Sequence, residues 1–464
     1  MSNLYSRRQL LKLFGLSAGT LAFPFDDIKN SFDELFDKVD KIPFKKVERK
    51  ITAITLGAGA RGNTYGNYAI DFPEQIQIVG VAEPIQIRND RYATKHKIQN
   101  ENRFVTWEHV FEKPKFADAI IITTPDHLHF GPCMKALEMG YDVLLEKPMA
   151  QTEKECRAIL AQVRKTKRIV AICHVLRYAP YFIKLKELIH SGAIGELISI
   201  QHFEPIEHIH MSHSFVRGNW HNSKETTPII LAKSCHDLDI MRWLIGKNSK
   251  HISAFGNLKW FTSKNAPEGS SNRCLDGCKV ENSCPYSAKK IYYDKRSWTY
   301  VFDLPLKKEE QGDAILEYLK TTNYGRCVYK MENNQPDHIV CSILFDDDIT
   351  ANFSMEAFTS YGGRRTRVMG SMGDIVGDMS KFVYTDFRTG KTMDWDTNQI
   401  DDGIYKHHGH GGGDYRLMND WVAAISAQNE NLLTSTIDAS IESHIMGFAA
   451  EKSRLNKKTI QIIL

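Results

Sequence analysis

Beyond Lys50 the chain alternates short apolar, β-branched runs with longer amphipathic stretches. Ile51–Leu56, Ile76–Ala82, Ala119–Thr123, Val143–Leu145 and Ile169–Ile172 read as strands bounded by turn residues. Leu128–Met139 and Thr152–Val163 read as helices, with Leu137, Leu160 and Val163 spaced to face a core. Strands separated by helices imply βαβ units and a parallel sheet. The texture changes near residue 175. A helix over Ile183–His190 stops at Ser191-Gly192, and strand-like segments follow at Ile198–Phe203, His338–Phe345, Ile349–Met355 and Thr366–Met369. They predict an open, mostly antiparallel sheet, closed off by helices over Tyr415–Ala427 and Asp438–Leu455. The expected organisation is a dinucleotide-type domain over 50–175 and a second α/β domain over 176–464.

The first residues follow another pattern. Ser6-Arg7-Arg8-Gln9-Leu10-Leu11-Lys12 is a twin-arginine sequence, and the apolar stretch Leu13–Phe25 behind it is too short for a bilayer, which needs about 20 residues. A basic segment before a short apolar one predicts an export signal over about 1–30 and a periplasmic protein. The competing reading is an amphipathic N-terminal helix of a cytoplasmic protein. No clear Ala-x-Ala cleavage pattern follows Ala22. Charge-rich residues 31–49 read as a linker or short docking segment. A net charge of +4 over 464 residues, with 42% hydrophobic and 25% charged residues, gives no reason to expect nucleic acid or an anionic membrane as partner.

Gly57-Ala58-Gly59-Ala60-Arg61-Gly62 follows the first strand and opens a helix, the context a G-x-G-x-x-G needs to bind a dinucleotide. Gly57 permits the tight turn, Gly59 lets backbone approach a pyrophosphate, and Gly62 lets helix and strand pack closely. Free N–H groups at the helix start then face the phosphates. Glu83 ends the second strand about 20 residues later, placed to accept from a ribose 2′-OH and so favouring NAD over NADP. Arg88, close behind, would instead pair with a 2′-phosphate, and keeps NADP open.

Ligands of open α/β sheets bind beyond the carboxyl ends of the strands. Thr124-Pro125-Asp126-His127-Leu128-His129, Glu146-Lys147-Pro148 and His174 occupy such ends. Taken with the glycine motif, their order and spacing resemble the Gfo/Idh/MocA family (glucose–fructose oxidoreductase, inositol dehydrogenase, MocA-like). Arg177-Tyr178, Gly192-x-x-Gly195-Glu196, Cys235-His236-Asp237-Leu238-Asp239 and Gly409-His410-Gly411-Gly412-Gly413-Asp414 extend the likeness over Lys50–Leu464. The resemblance implies a Rossmann domain joined to a large antiparallel sheet, NAD(P)-dependent hydride transfer on a sugar or polyol, and a homo-oligomer. It implies Lys147 and His236 as the catalytic pair. Gly57, Gly59, Arg61, Gly62, Glu83, Arg88, Thr124, Pro125, His129, Glu146 and Lys147 would hold the cofactor.

In the family an Asp stands four residues before the proton-accepting His; here that place is Ala232, with Lys233 beside it. Asp237 or Asp239 takes over the orienting role, or Lys233 joins the catalytic set, or the chemistry differs. Arg177, Tyr178, Trp220, Lys233, Asp239 and His410 are candidate substrate contacts. His407, His408 and His410 read as a solvated loop and not a metal site.

Cys274, Cys278 and Cys284 form C-x3-C-x5-C in a Pro/Gly-rich insertion near 265–295. A structural metal with a fourth ligand from elsewhere, and a disulfide plus a free thiol, both remain open. The other six cysteines read as core residues. Two further functions compete with the dehydrogenase. One is a glycoside hydrolase using transient oxidation by bound NAD, which export suits. The other is a sugar sensor, against which Lys147 and His236 argue. Free NAD is scarce outside the cytosol, so export implies a tightly retained cofactor.

Overall fold

The computed structural model describes residues 44–464 except 401–402 and 404–408. The twin-arginine segment and His407 and His408 lie outside the described residues. The first half runs β1 (Ile51–Leu56), α1 (Ala60–Asp71), β2 (Ile76–Ala82), α2 (Gln86–His96), β3 (Arg103–Phe104), β4 (Ala119–Ile122), α3 (Phe130–Glu138), β5 (Asp142–Leu145), α4 (Glu153–Thr166) and β6 (Val170–Ile172). The strands lie in the order β3-β2-β1-β4-β5-β6, every neighbouring pair parallel. β4 and β5 are buried along their whole length, as strands covered on both faces must be. The chain leaves β1 toward one edge and β4 toward the other, so a crevice opens beyond their carboxyl ends.

The second half supplies α5 (Pro180–His190), β7 (Leu197–Pro205), α6 (Cys235–Ile245), β8 (Ser249–Asn257), α7 (Gln311–Thr321), β9 (His338–Phe345), β10 (Thr350–Glu356), β11 (Arg365–Gly370), β12 (Gly373–Gly377), β13 (Lys381–Asp386), β14 (Thr392–Asp396), α8 (Gly413–Ala427), α9 (Ile437–Asn456) and β15 (Ile460–Gln461). Nine strands form one sheet, β14-β13-β12-β11-β7-β10-β9-β8-β15, antiparallel except where β7 pairs with β10. Ile339, Cys341, Ile343 and Phe345 of β9 turn inward, and the residues between them turn outward, the two-residue period of a sheet covered on one face. α6 and α9 pack on the covered side. The open side exposes Ile198, Phe255, Val340, Val376 and Val383. No helix among the described residues is long and apolar enough to cross a membrane.

The two sheets are built from separate stretches of chain, but their cores are not. α8, which begins 238 residues past position 175, packs into the core of the parallel sheet: Tyr415, Leu417, Met418 and Trp421 cluster with Ile51, Tyr65 and Tyr68. The Trp421 indole N–H donates to the Val143 carbonyl of β5 at 3.1 Å. The end of the expected linker is held on the same helix, Lys45 Nζ pairing with Asp420 at 2.7 Å and the Glu48 amide bonding Ser426. The cysteine insertion is also larger than the sequence suggests. All of 258–337 lies between β8 and β9, and Ala288, Ile291, Tyr292, Phe302, Ile315 and Leu319 give it a core of its own.

Candidate active site

Gly57 has φ +93°, and a Cβ there would stand 2.7 Å from the Thr123 carbonyl oxygen. A Cβ on Gly62 would be 2.1 Å from the Gly57 oxygen, so turn and helix touch backbone to backbone. A Cβ on Gly59 meets nothing within 4 Å. α1 begins there with no side chain capping its N-terminus and no acidic residue in its first turn. Uncapped donors beside an open glycine are what a pyrophosphate requires. Glu83 is buried at the end of β2, where it accepts from the amides of Ala58 (2.8 Å) and Ile85 (3.0 Å). That uses two of its roughly four acceptor positions and leaves capacity for a ribose hydroxyl. Arg88 is engaged elsewhere: its Nε pairs with Asp303 of the insertion at 2.7 Å. The acid is therefore placed for a ribose diol, and the cation that would welcome a 2′-phosphate is already partnered.

Arg61 reaches back from α1 and not outward. Nε contacts Glu146 at 2.5 Å and Nη2 contacts Asp414 at 2.7 Å, and it also bonds the Tyr65 hydroxyl. Burial pushes the Glu146 carboxyl up, but Arg61 and Lys147 outweigh it and hold it below the usual range. Asp414 is likewise held well below its usual range, because Arg61 and His410 more than offset its burial. Glu146 Oε2 also accepts the Lys147 amide at 2.9 Å, which fixes the backbone from which the lysine projects. His129 braces the same rim, its two ring nitrogens bonding the carbonyls of Pro148 (2.7 Å) and Thr124 (2.9 Å). Glu146, Arg61 and His129 thus shape the floor around the glycine turn, with Thr124 and Pro125 on the strap that His129 holds.

Lys147 Nζ donates to the Ala232 carbonyl at 2.8 Å. The residue where the resemblance implies an Asp therefore meets the lysine through its backbone. His236 is buried, and its Nδ1 has no hydrogen-bond partner. Its ring lies 5.8 Å from that of His410 and 6.2 Å from that of His174. Burial, then the charges of Lys147, His410 and Arg364, hold His236 well below the ordinary histidine range. Neither neighbouring carboxylate orients it. Asp237 is taken by Arg364 (2.6 Å) and His202 (3.0 Å), and Asp239 by Arg177. The carboxylate–imidazole pair appears instead at His410, whose Nδ1 lies 3.1 Å from Asp414. Lys233 stands close by, its Nζ 3.4 Å from Glu204. Its burial lowers its pKa, and the charges of Arg364 and Lys147 add to the effect against Glu204 and Asp237.

Not every candidate reaches this cluster. Arg177 is 2% exposed and spends its guanidinium on Asp239 and on the carbonyls of Thr434 and Ala439. Tyr178 is buried against Ser435. Arg177, Tyr178 and Asp239 thus knit β6 to the start of α9 beneath the site, a support that consumes every polar group they would offer a substrate. Trp220 is an exposed side chain beside Phe215.

Two sequence comparisons bear on this geometry. Residues 51–174 match the oxidoreductase family described as an NAD-binding Rossmann fold, and residues 186–462 match its C-terminal alpha/beta domain. The chain belongs to the Gfo/Idh/MocA oxidoreductase family. It is 24% identical to the putative oxidoreductase YteT of Bacillus subtilis over 353 residues, 74% of this chain and 81% of that protein. It is 26% identical to the scyllo-inositol 2-dehydrogenase (NAD(+)) of the same organism over 220 residues, 46% of this chain and 59% of that enzyme, a little over half its length. Among solved structures, an inositol dehydrogenase homolog from Azotobacter vinelandii complexed with NADH and myo-inositol superposes with a TM-score of 0.64, at 13% identity, over 90% of this chain and 99% of that one. A levoglucosan dehydrogenase in complex with NADH and levoglucosan gives 0.63, at 14% identity, over 90% and 100%.

This Gfo/Idh/MocA member also gathers residues that the motifs do not announce. His210 is held well below the usual histidine range by burial and then by the charges of Lys233, His213 and Lys147, and so stays neutral. Trp298 of the insertion packs on it with ring centroids 4.6 Å apart, and on His213 at 4.7 Å. Trp298 sits at φ +58°, a left-handed conformation unusual for a bulky residue. Glu204 and Arg364 pair at 2.7 Å. Nothing in the spacing of these residues distinguishes them from core and strand positions.

The second and third glycines of the motif make a contrasting test. Gly59→Ala should change fold stability by less than about 1 kcal/mol and weaken NAD binding by roughly tenfold or more. Gly62→Ala should lower the denaturation midpoint, because its methyl meets backbone. Titration of both variants with NAD, beside urea unfolding, checks the pair.

Proposed function

We propose that the chain transfers hydride between NAD(H) and a secondary hydroxyl of a sugar or polyol. The observation that carries this reading is that Lys147, just past β5, reaches the Ala232 carbonyl of the second half, and that His236 there lies 5.8 Å from His410, which Asp414 links to Arg61 on the helix launched by the glycine turn. The names of the inositol and levoglucosan dehydrogenase relatives support the substrate class. With its pyrophosphate held at the glycine turn, a bound NAD(H) would supply the hydride chemistry. Neutral His236, with a free buried nitrogen, accepts the hydroxyl proton. Lys147 leaves the Ala232 carbonyl to donate to the same oxygen and stabilise its developing charge. His410, steadied by Asp414, holds a neighbouring hydroxyl.

Purified protein, a sugar and glycoside panel and added NAD test this. Net reduced cofactor, cut by roughly two to four orders of magnitude in Lys147→Ala, is expected; release of aglycone without net reduction would instead mean a hydrolase. Because His236 is depressed, its base form persists as pH falls, so the acid limb of kcat/KM should lie below about 6.5. A retained cofactor belongs to the same proposal, and denaturing the mildly purified protein should release nicotinamide nucleotide. Export is proposed on Ser6–Lys12 alone. Fractionation should find the chain outside the cytosol, and Arg7→Lys with Arg8→Lys should trap it inside. Pairing with a second copy is proposed through the open face of the large sheet. Light scattering should show a dimer that Val340→Asp weakens.

A further inference from the structure

The three clustered cysteines of the insertion are joined by a fourth that the sequence gives no reason to group with them. Cys274, Cys278, Cys284 and Cys327 line one cavity, together with Arg217. An antiparallel bridge sets the segments side by side: Arg273 pairs with Arg326, the Cys274 amide bonds the Gly325 carbonyl at 2.9 Å, and the Cys327 amide bonds that of Asn272 at 2.8 Å. A backbone amide also turns toward sulfur: that of Ala288 lies 3.4 Å from Cys274 Sγ. Cys284-Pro285-Tyr286 and Cys327-Val328-Tyr329 share one Cys-x-Tyr spacing, with their tyrosine rings packed edge to face at 6.1 Å.

Charge supplies the second observation. Arg217 is 1% exposed. Its Nε and Nη2 bond the carbonyls of Arg326 and Tyr286, Nη2 lies 3.9 Å from Cys274 Sγ, and Nη1 has no hydrogen-bond partner. No carboxylate among the described residues forms an ion pair with it, and a buried cation left without an anion is costly. Two disulfides would supply no charge. Thiolates would. The void itself is about 10 Å³, room for a single water-sized body and too little for a multinuclear cluster. Among the described residues no three acidic, thiol or imidazole groups are already gathered tightly enough to hold an ion. Rotation of cysteine side chains between staggered positions is the movement that closes them on it.

We propose that Cys274, Cys278, Cys284 and Cys327 bind one structural zinc ion, with Arg217 as the charge partner of the site. Four S–H bonds break, four Zn–S bonds form and four protons pass to solvent. The zinc tetrathiolate then carries two negative charges, one of which Arg217 offsets, while the Ala288 amide donates to Cys274. Four protein ligands leave no open position, so the ion holds the insertion together and does no chemistry.

Elemental analysis of the full chain, purified under reducing conditions, tests this. About one zinc per chain is expected, with the four thiols protected from alkylation until a chelator strips the ion. Cobalt exchanged into the site should show the absorption of a tetrahedral tetrathiolate. Cys327→Ser should lose most of the metal, while Cys341→Ser, in β9 and outside the cluster, should keep it. If Cys327→Ser does not fold, the stoichiometry and alkylation pattern of the unaltered chain decide. Metal-free protein with four freely alkylated thiols, two disulfides by mass, or iron with acid-labile sulfide would each overturn the assignment.

Discussion

One guanidinium holds the working parts together. Arg61 belongs to the helix that the glycine turn launches, yet it is spent on Glu146 at the end of β5 and on Asp414 at the start of α8. Three segments far apart in sequence are thereby fixed around a single charge. Glu146 in turn grips the Lys147 amide, and Asp414 grips His410. Two buried carboxylates would otherwise repel each other across the site, an arrangement that costs several kcal/mol when its cation is removed. The position of the lysine and of one imidazole relative to the turn follows from this bridge.

The same bridge explains why the chain's last third cannot be treated as a separate body. α8 brings Asp414 to Arg61 only because its apolar side is buried in the first core through Tyr415, Met418 and Trp421. The helix serves both as a wall of the nucleotide-type sheet and as the support of a loop facing the other domain. Beneath it, Arg177 and Asp239 form a second buried pair that ties β6 to the C-terminal helices. Within this interface Nδ1 of His236 and Nδ1 of its neighbour His174 both lack a hydrogen-bond partner.

Much of this was legible in the sequence, for physical reasons that also set the limit. Continuous apolar runs gave β1, β4 and β5 because strands buried on both faces have no polar side to show. The glycine motif was readable because only glycine fits where Gly57 and Gly62 touch backbone. β12 to β14 escaped notice: they are short and carry polar residues on an open face, so their pattern resembles that of loops. Arg61, Arg88, Arg177 and Asp239 were recognised as charged residues in suggestive places, but a sequence does not state which opposite charge folding brings near. Asp303, Trp298 and Cys327 were invisible for the same reason, since each acts through a partner tens or hundreds of residues away.

The reach of the insertion alters how the nucleotide edge can move. Asp303 holds Arg88, and the Leu304 carbonyl receives Arg91, so a loop of the second half is latched onto the helix just past Glu83. A hinge between the halves cannot swing at that edge without releasing both arginines. By thermodynamic reciprocity, anything that binds more tightly with the latch shut must also favour its shutting, and to the same extent.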